Sequence, residues 1–172
     1  ELDPNHTTAK EAKKKLQIKL NHFEELLEDL KKALDDDPDS LEKRLAYFNA
    51  LVEFTQYGEA IRVINEHLKP LDELKVIPLE ADPDQFKLEQ SQVNLRNALL
   101  ELFENRQTWG QALGLTNQMI KMYEEAPHYL LFNKAEFLAE LEKYDEANEV
   151  IEELDGKVDD KERIKIARAG IL

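Results

Sequence analysis

Four histidines, His6, His22, His67 and His128, are the first residues to weigh for acid–base or metal chemistry. No two lie three or four positions apart, so none shares a helical face with a second ligand, and no His-Glu-x-x-His element occurs. His67 falls where a helix pair wants a small, packed residue, so it reads as a structural histidine and not as a general base. Asp35-Asp36-Asp37-Pro38-Asp39 concentrates carboxylates, but a calcium loop needs alternating oxygen ligands, a glycine at its sixth place and a closing Glu. Leu41 stands near the place of that glycine and Pro38 stiffens the middle, so the run is a solvated turn between helices. With no cysteine there is no thiolate ligand, disulfide or cysteine nucleophile. A Gly-rich phosphate loop and a Gly-x-Ser-x-Gly elbow are also lacking. The expectation is no catalytic residue, no metal and no cofactor, hence not an enzyme.

Charge narrows the partners. The 172 residues carry a net charge of −14, which opposes the phosphate backbone of nucleic acids and anionic membrane surfaces alike. One basic cluster, Lys10, Lys13, Lys14, Lys15 and Lys19, reads as the solvated face of a terminal helix. No apolar run approaches the roughly 18 residues that a membrane span requires. An apolar fraction of 42% suits a folded domain, and five glycines with six prolines are too few for a turn-rich β sandwich. Long helices with short connections remain, and they predict an all-α fold.

The helices follow a repeat. Leu2-Asp3-Pro4-Asn5 recurs as Asp36-Asp37-Pro38-Asp39, 34 residues on. Phe23-Glu24-Glu25-Leu26-Leu27 recurs at the same offset as Tyr57-Gly58-Glu59-Ala60-Ile61, and Trp109-Gly110-Gln111-Ala112-Leu113 recurs 35 residues later as Tyr144-Asp145-Glu146-Ala147-Asn148. The aromatic marks the start of a second helix. Three residues on, Ala60, Ala112 and Ala147 let two backbones approach, whereas Leu26 would hold them slightly apart. Leu30, Ile64, Thr116 and Ile151 follow four residues later on the same face. Helices are expected near 7–20, 23–35, 41–55, 57–69, 85–106, 109–124, 128–141, 144–154 and 160–171. Ser40 should cap the third of these, Asp82-Pro83-Asp84 should start the fifth, and Gly156 should end the eighth in a left-handed conformation.

Tyr144-Asp145-Glu146-Ala147 with Ile151 and Leu154, preceded by Leu131-x-x-Lys134-Ala135-x-x-Leu138, resembles the helix pair of a tetratricopeptide repeat. Lys31-Lys32-Ala33-Leu34-Asp35-Asp36-Asp37-Pro38 resembles the end of such a unit. The resemblance covers nearly the whole chain. It departs at the eighth repeat position, where Lys14, Phe48 and Leu100 stand beside the fitting Ala135, and in the 52 residues that separate copies two and three. It implies a helical-hairpin solenoid, a right-handed superhelix occupying 1–172 as a single domain. The repeats would lie near 7–38, 41–69, 85–127 and 128–157, with an insert between repeats two and three. Residues 160–171 either cap the array or open a further repeat. The chain, which begins Glu1-Leu2-Asp3-Pro4, is expected to be a fragment of a longer, cytoplasmic protein.

The resemblance also implies a concave groove lined by first helices, where partner peptides lie. Carried over position by position, it is formed by Leu45, Asn49, Asn94, Asn97, Glu101, Tyr129, Phe132 and Glu136. Asn side chains there can pair with a peptide backbone, and carboxylates favour ligands bearing Lys or Arg. The places where some members clamp acidic chaperone tails hold Glu11, Lys15, Ala46, Asn94 and Ala98, without the required cations. The expected function is a scaffold or adaptor that binds a protein or peptide segment rich in basic and apolar residues. The alternative is a self-assembling solenoid module or an accessory domain of a larger enzyme or complex. The insert around residues 70–84 could fold over the groove.

Overall fold

The computed structural model describes the backbone of residues 7–157 and 161–171, and the side chains from residue 22 onward except 161, 163 and 171. The Leu2–Asn5 turn copy, His6 and the side chains of the Lys10–Lys19 cluster lie outside the described residues. Among those described the chain is all-α, with no strand. In order the helices are α1 (Thr7–Asp36), α2 (Leu41–Glu53), α3 (Tyr57–Asn65), α4 (Lys87–Asn105), α5 (Trp109–Ile120), α6 (His128–Glu140), α7 (Tyr144–Asp155) and α8 (Lys161–Ile171). None is long and apolar enough to cross a membrane. The chain forms two compact units, Glu1–Glu66 and His67–Leu172. In the first, α1 packs on α2 and α2 on α3. In the second, each helix from α4 to α8 packs on the next, and α8 also meets α6. Successive neighbours in contact are the arrangement of a helical-hairpin solenoid.

Three hairpins, α2–α3, α4–α5 and α6–α7, turn in the same way. Thr55, Gln107 and Glu142 adopt positive φ of 59°, 54° and 59°. Each lies two residues past the end of its helix, and the next residue donates its N–H back five residues: Gln56 to Leu51, Thr108 to Phe103, Lys143 to Leu138, at 2.8, 2.9 and 2.9 Å. This paired reverse bonding satisfies helix-end carbonyls that would otherwise lack donors. The next helix starts at once with Tyr57, Trp109 or Tyr144. Ala60, Ala112 and Ala147 are wholly buried, as the repeat requires of a close backbone approach. Ile64, Thr116 and Ile151 are wholly buried beside them.

Three expectations are corrected. Residues 7–36 form one continuous helix where two had been expected. Leu20-Asn21-His22-Phe23 contains no Gly or Pro to break it, so helical bonding runs through the expected junction. Leu26 therefore spaces no helix pair and is 44% exposed. Gly156 ends α7 with φ −77°, an ordinary right-handed value, so the left-handed positions belong to Thr55, Gln107 and Glu142 instead. Ser40 does cap α2, its hydroxyl accepting the Lys43 N–H at 3.3 Å.

The segment between α3 and α4 contains a 3-10 turn at Leu71–Glu73 and a single bridge pairing Ile77 with Tyr123. Ile77 donates its N–H to the Met122 carbonyl at 2.8 Å and accepts from Glu124 N–H at 2.9 Å. One face of α4 holds the rest. Glu89 accepts from Lys75 N–H, and Gln92 accepts from Lys69 N–H while donating to the His67 carbonyl. Arg96 donates to the Lys69 carbonyl at 2.8 Å and to Gln92. These three polar side chains are buried because irregular backbone needs partners when it leaves water. Asn94, Asn97 and Glu101 occupy a different face of α4, so the insert does not rest on the expected groove residues there.

Candidate functional site

The C-terminal unit brings the inner faces of α4, α6 and α8 side by side. At one end Tyr129, at the start of α6 and 39% exposed, shares side-chain hydrogen bonds with Asn97 of α4 and with Tyr123. Burial pushes the Tyr123 phenol up to about 12, with the neighbouring Tyr129 adding to the shift. Both hydroxyls therefore stay protonated and can donate. One turn along, Asn133 of α6 reaches the Glu104 carboxylate at 3.4 Å. Partial burial raises Glu104 above the usual carboxylate range, and the charges of Glu136 and Glu101 raise it further. Three carboxylates from two helices thus lie near one another, Glu104 having Glu101 of its own helix and Glu136 of α6 in its surroundings.

Beyond this acidic step, α6 and α8 enclose a cleft of about 380 Å³. Phe132 and Ala135 line its α6 side, Ile166, Ala167 and Gly170 its α8 side, and Glu136 and Glu140 lie at its edge. The cleft follows from the way α8 docks, with Ile164 in the core, Ala167 packed beside it and Arg168 donating to Asp155. Ile164 is 1% exposed in the cluster with Leu131, Leu138, Ile151 and Leu154, while Ile166, two residues on, is 67% exposed. A helix spaces its faces at 3.6 residues per turn, so burying Ile164 leaves Ile166 outside the core. At Gly170 a Cβ would meet nothing within 4 Å, so the mouth is open there.

Of the eight residues expected in the groove, five meet in this face. Asn97 joins Tyr129, Glu101 and Glu136 both act on Glu104, and Phe132 with Glu136 borders the cleft. Asn94 is half-buried on α4 and its side chain accepts from Gln90. Leu45, half-buried, and Asn49, exposed, lie on α2 of the N-terminal unit. The sequence reading passed over the α8 wall, although Ala167 stands 35 residues after Phe132 and so continues the register. It also passed over the buried Arg44 and Arg96, which are 52 residues apart like Tyr57 and Trp109. Arg44 donates to the carbonyls of Val63 and Pro38 at 2.8 and 2.6 Å, the counterpart in α2 of what Arg96 does in α4.

Among the described residues no group of His, Asp and Glu is placed to hold a metal ion. Comparison with family models, with curated proteins and with solved structures found no match to this chain.

Proposed function

We propose that the chain is a cytoplasmic protein-binding scaffold of the tetratricopeptide kind, without chemistry of its own, whose α4–α6–α8 face takes a partner segment carrying basic and apolar residues. The observation that carries this reading is an apolar cleft directly beside three neighbouring carboxylates. An apolar anchor in the cleft removes hydrocarbon from water, a Lys or Arg beside it relieves the repulsion among Glu101, Glu104 and Glu136, and Asn97 and Tyr129 offer polar groups to a backbone.

The test is fluorescence anisotropy with a designed helix of Leu and Lys at i, i+3/i+4 spacing. Glu101→Lys with Glu136→Lys should weaken binding at least tenfold and flatten its salt dependence. Gly170→Leu should block the cleft without unfolding α8, since leucine is the better helix former. Equal affinity for both variants and the parent would sink the reading. The pH dependence has a definite sign. A bound cation favours the ionised form of Glu104, so binding releases a proton from it. Affinity should therefore fall as pH drops through the raised value of Glu104 and stay level above it, and Glu104→Gln should remove that slope.

A further inference from the structure

We infer that the segment received by this face is the N-terminal half of α1 from a second copy of the chain. The inference rests on the reading just given and names its partner.

The first observation is a helix that outruns its neighbour. α1 has 30 residues and spans about 45 Å, whereas α2 has 13 and spans about 20 Å. The place where α2 runs out is marked by a ring contact. Phe23 of α1 meets Phe54, the residue that caps the end of α2, with ring centroids 4.0 Å apart and the planes tilted by 49°. The chain then turns back into α3, so the backbone of α1 before Phe23 extends roughly 24 Å past the end of α2.

The second observation is what that overhang is made of. Residues 7–21 hold five lysines against one glutamate in a chain of net charge −14. Ala9, Ala12, Leu16 and Leu20 recur at helical spacing and continue in register to Phe23 and Leu27. On a helix Lys13 and Lys19 fall on opposite borders of that stripe. An amphipathic helix with a basic border is the chemical complement of an apolar cleft with an acidic border. The apolar stripe faces Phe132 and Ile166, and the lysines face Glu101, Glu104 and Glu136.

The geometry of assembly follows. Donor and acceptor surfaces are different patches of one chain, so the contact is head-to-tail, and each copy that gives its α1 still has an open cleft. Mass should then grow beyond a dimer with concentration and fall with added salt.

Light scattering of the whole chain across concentration, with variants, tests this. The parent should grow in mass. Glu101→Lys/Glu136→Lys alone and Lys13→Glu/Lys19→Glu alone should each stay monomeric, and an equimolar mixture of the two should regain complexes of two or more chains. That rescue needs both variants folded, so misfolding cannot imitate it. A synthetic peptide of residues 7–21 should bind the parent and dissolve the assemblies. A parent whose mass does not change with concentration, or a mixture without rescue, overturns the inference. If the 7–21 peptide fails while the designed Leu/Lys helix binds, the self-recognition is wrong and the groove reading stands. If neither peptide binds, both fall.

Discussion

Hairpins α4–α5 and α6–α7 share a turn, a buried alanine and a leading aromatic, yet their interiors are built differently. The α6–α7 pair is apolar throughout, with Leu131, Leu138, Val150, Ile151 and Leu154 in one cluster closed by Ile164 of α8. In α4–α5 the positions equivalent to Leu131 and Ile151 hold Arg96 and Thr116, both buried. The difference follows from what lies alongside. A regular helix satisfies its own backbone and asks a neighbour only for hydrocarbon, whereas irregular segment 67–77 presents N–H and C=O groups that α4 must meet with side chains. Burial holds the Arg96 guanidinium below its ordinary value, whereas the carboxylates of Glu66 and Asp39 partly offset burial at Arg44. Arg96 is therefore a cost accepted to order the insert.

The strongest way to break this contrast is Arg96→Leu, which installs the residue that α6 uses. It leaves the Lys69 carbonyl without its donor, and urea denaturation should show a loss of about 3 kcal/mol. Hydrogen exchange should quicken at Lys75 and Ile77 before α6 and α7 respond. An unchanged midpoint would mean that Glu89, Gln92 and the Ile77 bridge hold the insert without Arg96.

Ala147→Leu probes what the hairpins share. With Ala147 wholly buried against α6, overpacking should cost about 2 kcal/mol, and Ala112→Leu should cost a similar amount. A harmless result at one site and not the other would show that the two helix pairs differ in spacing.

Thr116→Val tests the polar residue in the α5 core. Among the described residues the buried Thr116 hydroxyl has no hydrogen-bond partner, so removing it should stabilise the chain by about 1 kcal/mol, read as a rise in Tm. A fall would show that the hydroxyl has a role in packing that the methyl cannot replace. The smallest effect is expected from Glu142→Gly. Its φ of 59° strains any side chain, and glycine relieves that strain at some entropic cost, for a net gain of about 0.5 kcal/mol. The same change at Gln107 should match it, since the turns are alike.

The part of the fold readable without coordinates is the part set by neighbours in the chain. Aromatic–x–x–Ala at Tyr57, Trp109 and Tyr144, spaced by 52 and 35 residues, marks the second helices, because a 3.6-residue period and a close helix approach leave few residue choices at those places. Ser40 could be read as a cap for the same reason: the N–H its hydroxyl accepts lies three residues away. The turns themselves were not readable, since Thr55, Gln107 and Glu142 are not the residue types that announce a left-handed φ. The continuous α1 escaped because a repeat match at Phe23 resembles a helix start, and only the chain's surroundings decide whether a helix stops there.

The candidate site divides along the same line. Sequence alone placed Asn97, Glu101, Tyr129, Phe132 and Glu136 on first helices, since residues four apart on one helix share a face wherever that helix goes. Tertiary structure alone set Asn133 against Glu104, closed a cleft with α8, and bound the insert to Glu89, Gln92 and Arg96 and away from that face. Those are contacts between residues up to some thirty positions apart, and whether such side chains meet depends on how helices dock, which no local period encodes.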